Sequence, residues 1–216
     1  MALHIRKAMN ELQKSFAKLC VLVESSVNDA IKAVETRDDE LARKIETQDV
    51  NIDRMEVEIE EECLKIIALY QPVAVDLRVL TAVLKINNDL ERIGDLAQNI
   101  AMAAIRLDNT FVLPFDFSLM SKRVSHMLKT ALDSFMELNP EKALETFPLD
   151  DDVDSIKSET FTRIIELLEK CGTDANNLLQ SLSIANHLER IADLATNIGE
   201  DVIYIVDGRI VRHMQK

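Results

Sequence analysis

Glycine and proline are scarce: the 216 residues hold four of each, and long stretches contain neither. That excludes a turn-rich all-β chain and predicts long helices joined by short connections. Tryptophan is absent and aromatic residues make up only 4%, so the core has to be Leu, Ile, Val, Ala and Met at helical spacing. Three cysteines, Cys20, Cys63 and Cys171, are odd in number, far apart and in no CxxC. They read as reduced thiols of a cytosolic chain, on semi-buried helix positions. No run approaches the roughly 20 apolar residues that span a bilayer, and Met1-Ala2-Leu3-His4-Ile5-Arg6-Lys7 has no apolar run or cleavage site. The expectation is a soluble, cytoplasmic protein with no direct membrane insertion.

Positive charge is also short. Lys and Arg number 25 against 38 Asp and Glu, a net charge of −13. Such a chain repels phosphate backbones and anionic headgroups, so nucleic acid and membrane surfaces drop out as partners. Metal cations and basic protein surfaces come forward instead. Several catalytic signatures are missing as well. None of His4, His126, His187 and His213 has Glu three positions before it, which removes the Glu-x-x-His of ferritin-like di-iron oxidases. No GxxxxGK[ST] loop is present to cradle a nucleotide, and no Ser/His/Asp constellation can be argued. The chain reads as a non-enzyme.

What is present is periodicity. Leu12, Phe16, Leu19, Val23, Val27, Ile31 and Val34 recur at three- and four-residue steps, predicting a first helix over 2–36. A second is expected over 39–70, on a stripe that includes Leu41, Ile45, Ile52, Met55, Ile59, Leu64 and Ile67, ended by Gln71-Pro72. A third spans 74–107. Asp108-Asn109-Thr110 and Pro114 mark the mid-chain break. Further helices follow over 117–138, 149–170 and 174–206, with Asn139-Pro140 and Pro148 as interruptions and Gly172 as a helix stop. Helices of thirty residues, about 45 Å long, have to pack side by side to bury their stripes.

The chain also repeats itself. Shifted by 98 positions, 76–101 falls on 174–199 with fourteen of 26 residues identical, among them Asn88/Asn186, Glu91/Glu189, Arg92/Arg190, Asp95/Asp193 and Asn99/Asn197. Helical bias matches some Leu and Ile, but not polar residues in order, so a duplication is the economical reading. A weaker match, shifted by 101, sets Asp49 and Asp53 on Asp150 and Asp154. The expected fold is all-α: two tandem, pseudo-twofold-related three-helix bundles of six long antiparallel helices, with domains at 1–108 and 109–216.

On the third helix Asn88, Glu91, Asp95 and Asn99 project within about 80° of one another, opposite Leu90, Ile93, Ala97 and Ile100. Asn186, Glu189, Asp193 and Asn197 repeat the pattern, and Asp49/Asp53 and Asp150/Asp154 give the same one-turn pair on the preceding helices. Carboxylates one turn apart repel, and a cation reverses that sign. One such pair is ordinary on a solvated helix face; four related by duplication point to metal. The candidate ligands are Asp49, Asp53, Glu91, Asp95 and Asn99, and Asp150, Asp154, Glu189, Asp193 and Asn197. An all-oxygen set suits hard cations such as Mg²⁺, Ca²⁺, Mn²⁺ or oxidised iron. Arg92 and Arg190 read as inter-helix ion pairs, Asp76 as a group favouring the helix dipole, and His187 as a softer donor available to the second copy alone.

Gln71-Pro72-Val73-Ala74-Val75-Asp76-Leu77-Arg78 resembles the turn into the third helix of the PhoU family. Asn88-Asp89-Leu90-Glu91-Arg92-Ile93-Gly94-Asp95 and Asn186-His187-Leu188-Glu189-Arg190-Ile191-Ala192-Asp193 look like its two E(D)xxxD motifs, and the stretch from Tyr204 to His213 like its C-terminal end. The resemblance implies two similar three-helix bundles with multinuclear iron at the acidic motifs, Mn, Mg, Ca or Zn being alternatives. It implies a cytoplasmic negative regulator of phosphate uptake and of the phosphate-starvation response. Its partners would be the ATPase subunit of the phosphate ABC transporter and a sensor histidine kinase, with the chain itself a homodimer. The second turn, Cys171-Gly172-Thr173-Asp174-Ala175-Asn176, keeps only the Asp of the first. A metal-dependent helical enzyme, or an accessory protein of a different phosphate carrier, are the alternatives.

Overall fold

The computed structural model describes residues 2–170 and 174–208, with the side chains of residues 2 and 3 left aside. Gly172, Cys171 and the segment from Arg209 onward, to which expectations attach, lie outside the described residues. Six long helices carry the fold: α1 (Ala2–Thr36), α2 (Asp39–Tyr70), α3 (Ala74–Ile105), α4 (Phe117–Glu137), α6 (Phe147–Leu168) and α7 (Ala175–Asp207), with a short α5 (Pro140–Leu144) between α4 and α6. There is no strand among the described residues, nor any helix long and apolar enough to cross a membrane. Helices α1–α3 pack as one bundle; α4, α6 and α7 pack as the second, with α5 against α4 and α7.

Caps fix the helix ends. Asp38 accepts the Leu41 amide at 2.9 Å, and Asp116 accepts the Leu119 amide at the same distance, each satisfying an amide that has no partner within its helix. Gln71 closes α2 in the left-handed region. The repeated aspartates part company here: Asp174 is the N-cap of α7, whereas Asp76 lies in the first turn of α3, which has no side-chain cap.

Two expectations are corrected. Asn139-Pro140 and Pro148 do not make an open connection. The Asn139 side chain caps α5, and both prolines occupy first-turn positions where the missing N–H costs no bond. The helix expected from 149 therefore begins at Phe147, and it ends at Leu168. Leu64 is not core: it is 53% exposed, because Cys63, one step of 100° away, takes the inward position. Cys20 and Cys63 are buried, and burial pushes both thiols up to about 12. Neither ionises near neutrality.

One apolar cluster runs through both bundles. The last helices of the two repeats, α3 and α7, lie antiparallel. Arg78 Nε donates to the Ile205 carbonyl (3.2 Å), Lys85 Nζ meets Asp201 Oδ1 (3.2 Å), and the Asp108 amide donates to Asn177 Oδ1 (2.9 Å). On the other side α1 meets α4 through Phe16 and Phe135, with ring centroids 4.9 Å apart. The acidic stripes are thus carried by the helices at the centre of the molecule.

Candidate metal centres and the cleft between them

Leu90, Ile93, Ala97 and Ile100 are fully buried, which fixes the rotation of α3 and turns Glu91 and Asp95 toward its edge with α2. On α2 the buried residues Ile45, Ile52 and Ile59 do the same for Asp49 and Asp53. The four carboxylates feel one another. Burial, then Asp53 and Asp95, pushes Asp49 up to about 6. Burial, then Asp95, Asp53, Glu56 and Asp49, raises Glu91. Glu56, which the spacing argument did not select, is raised first by burial and then by Glu60 and Asp53, and it accepts a hydrogen bond from Asn87 Nδ2 at 3.0 Å.

Asp49 is the innermost member. It is 7% exposed, and its Oδ1 is buried with no hydrogen-bond partner, an arrangement that costs the full desolvation of the group. Gly94 makes room for it, since a Cβ there would stand 3.2 Å from Asp49 Oδ1 and 3.0 Å from Ile52 Cδ1.

The second copy has the same plan with different neighbours. Burial, then Asp193, Asp154 and Asp151, pushes Asp150 up to about 6. Asp193 is raised by burial, then Glu189 and Asp154, while Lys157 and Arg190 pull it down. Within the acidic run, Val153 points into the core and Asp152 pairs with Arg123 of α4 at 3.4 Å. Asp150 and Asp154 are left toward α7. Lys157 Nζ lies 3.2 Å from Glu189 Oε1. His187 shares a hydrogen bond of 3.1 Å with Ser183, and its strongest charged neighbour is Arg190 rather than an acid.

Asn99 and Asn197 stand with Asp95 and Asp193 on a cleft of about 600 Å³ where α3 and α7 cross. Its walls are Arg92, Asp95, Leu96 and Asn99 with their four repeat counterparts, so the pseudo-twofold passes through it. Asp95 and Asp193 each belong both to an acidic pair and to this shared cleft. Among the described residues the arginines do not pair between helices as expected: Arg92 meets Asp89 of its own helix at 3.8 Å, and the charge of Arg190 is felt by His187 and Asp193 of its own helix. On an exposed helix face an i, i+3 partner is always within reach.

The donor set fits hard cations: carboxylate and amide oxygens, no imidazole or thiolate, and one buried carboxylate oxygen without a partner. Among the described residues no three Asp, Glu, His or Cys side chains are gathered closely enough to close around one ion as they stand. Each centre is therefore an open, charged seam between two helices. Glu56, Lys157 and Gly94 were missed by spacing alone. The available signal was the shift of 101, which sets Glu56 on Lys157, and the shift of 98, which sets Gly94 on Ala192.

Comparison with known proteins agrees with this layout. The PhoU domain matches residues 16–104 and again 117–202, one match per bundle. A phosphate-specific transport system accessory protein PhoU homolog of Clostridium acetobutylicum is 35% identical over 206 residues, covering 94% of each chain. Homolog 1 of Thermotoga maritima is 34% identical over 209 residues, 95% of this chain and 90% of that one. The crystal structure of PhoU from Pseudomonas aeruginosa superposes with a TM-score of 0.90 at 32% identity, covering 94% of this chain and 99% of that one. The phosphate transport system regulatory protein PhoU from Streptococcus pneumoniae gives 0.88 at 30% identity, covering 96% and 99%.

Proposed function

The chain belongs to the PhoU family, and from that premise we propose that it is a non-enzymatic accessory protein of phosphate transport that binds metal cations and represses phosphate uptake and phosphate-regulon signalling. Its relatives are named as accessory proteins of that system. The observation that carries the metal part is Asp49 Oδ1, buried and without a partner among Asp53, Glu91 and Asp95. Asp49, Asp53, Glu91 and Asp95 would hold cations in the first bundle, and Asp150, Asp154, Glu189 and Asp193 in the second. Asn99 and Asn197 would be reached from the cleft. The ion would be iron in a multinuclear centre, or Mn, Mg, Ca or Zn in its place.

Bound cations supply positive charge to an otherwise acidic surface. The chain's own residues do the rest: the buried stripes hold α3 and α7 rigid, and the outer faces present a long bundle surface to partners. Those partners are the ATPase subunit of the phosphate ABC transporter and the sensor histidine kinase, which the protein links in the cytoplasm as a homodimer. It favours the kinase's inactive state when phosphate is plentiful.

Two measurements test this. Deleting the gene should raise phosphate-starvation gene expression in phosphate-replete cells; unchanged expression would overturn the regulatory role. Elemental analysis of protein purified without chelator should find metal in the wild type and little in Glu91→Ala/Glu189→Ala. Equal metal in both would mean that the ligands lie elsewhere.

A further inference from the structure

We propose that the two acidic centres have diverged, so that the first takes an exchangeable divalent cation while the second carries a built-in one, the Lys157 ammonium. The proposal rests on the metal-binding reading above, keeps it for the first bundle, and narrows it for the second to weak binding in competition with Lys157.

The duplication makes the comparison internal. Asp49, Asp53, Glu91 and Asp95 keep their acidic counterparts Asp150, Asp154, Glu189 and Asp193, but Glu56 is matched by Lys157. In the first centre five carboxyl groups act on one another, and the charges that act most strongly on Glu91 and Asp49 are those of carboxylates. Glu91 has no ion-pair partner among the described residues. In the second centre Lys157 Nζ sits 3.2 Å from Glu189 Oε1, with the lysine side chain 34% exposed and the glutamate 17%. A charge-assisted contact in a half-buried seam is stronger than one in open water. It occupies the carboxylate that corresponds to Glu91, and its charge also reaches Asp193.

Independent packing evidence points the same way. The orphaned, buried carboxylate oxygen belongs to the first centre, in the space that Gly94 leaves open. In the second copy that position is Ala192, and Asp150 is only partly buried. The first seam therefore holds one carboxylate away from water, Asp49, beside four more carboxyl groups with no ammonium among them, and a cation is what relieves it. A divalent ion entering the second seam meets an ammonium already in place, and has to displace it or tolerate the repulsion.

The test uses the full chain, stripped with chelator and dialysed, titrated calorimetrically with Mn²⁺ alone. The wild type should give one tight phase, with any second phase about tenfold or more weaker. Glu56→Lys should abolish the tight phase. Lys157→Glu should add a second tight phase, and Lys157→Gln, which removes the charge at nearly constant volume, should strengthen the weak phase; circular dichroism checks that each variant is folded. Two equal tight phases in the wild type, unmoved by either Lys157 variant, would overturn the divergence and leave metal binding intact. A tight phase that survives Glu56→Lys and is lost in Glu189→Gln would reverse the assignment and so refute it. No Mn²⁺ binding by wild type or any variant would remove the metal reading itself, and this proposal with it.

Discussion

Asp49 carries an unrelieved charge in the metal-free chain. Its carboxyl has an ordinary value of 3.8 and is pushed up to about 6 in the fold, first by burial and then by Asp53 and Asp95. Below pH 3.8 it is protonated whether the chain is folded or not, and it contributes no penalty. As pH rises toward 6 the unfolded chain releases the proton while the folded chain still holds it, so stability falls. Above 6 the penalty is complete, on the order of 2 kcal/mol once water around the more exposed Asp53 and Asp95 is allowed for. Asp49→Asn removes the charge at similar size. Its metal-free form should melt higher than wild type at pH 7.5, by roughly 5 °C, with the difference closing at pH 3.5. Saturating Mn²⁺ should reverse the order, because only the wild type gains binding energy in the folded state. Thermal melts at both pH values, with and without the ion, check all three parts; a variant less stable than wild type in metal-free buffer at pH 7.5 would contradict the argument.

At the scale of elements, the two repeats have exchanged a small residue. Gly94 matches Ala192, while Ala101 matches Gly199. Each glycine marks a close approach to its helix: by α2 at Gly94, and by the α5 end at Gly199. A Cβ on Gly199 would lie 3.1 Å from Thr146 Oγ1 and 3.3 Å from the Ala143 carbonyl oxygen. The Thr146 hydroxyl itself donates to that carbonyl at 2.8 Å, so neither atom yields without moving α5. Gly199→Ala gains about 1 kcal/mol of helix propensity in α7 and loses the seat of α5. Amide hydrogen exchange over 140–146 should quicken tenfold or more while the middle of α7 stays protected; unchanged exchange there would show that α5 does not depend on the contact. The same element explains what periodicity could and could not reveal. The long helices were legible because seven or more apolar positions at three- and four-residue steps, as from Leu12 to Val34, admit no other period. Five residues of α5 contain too few positions for a period, and Asn before Pro signals a helix start as much as a stop. In the site, Glu91, Asp95, Glu189 and Asp193 were legible because the duplication preserves them in order. The burial of Asp49 was not, since it depends on a glycine of the neighbouring helix. Lys157 was not, because the match that aligns it with Glu56 is carried by few residues.

For the whole molecule, the question is whether two repeats make two folding units or one. Their contact is not a wet surface. The apolar core is continuous, and α3 lies along α7 with polar ties at both ends. One of these ties is a buried charge: Asp201 is 3% exposed, and the Lys85 ammonium that meets it at 3.2 Å also stands 5.4 Å from the Tyr204 ring centroid. Lys85 comes from the first repeat and Asp201 from the second. Lys85→Met keeps the aliphatic stem and removes the ammonium, weakening the compensation of a carboxylate that has lost its water, at a cost of about 1–3 kcal/mol. If the halves were independent, the loss would appear as an early transition of one bundle. A continuous core instead ties the stability of α1 and α2 to a charge removed beside α7. Calorimetry should give one transition displaced as a whole to lower temperature, with calorimetric and van't Hoff enthalpies equal. Hydrogen exchange should accelerate in α1 and α4 alike; two resolved transitions would divide the molecule at the break before Pro114. The same coupling bears on function, because Asp95 and Asp193 open onto one cleft. A cation held by the first seam stabilises whatever unfolds together with it, so Mn²⁺ should raise the single transition of the entire chain even when only one seam is filled.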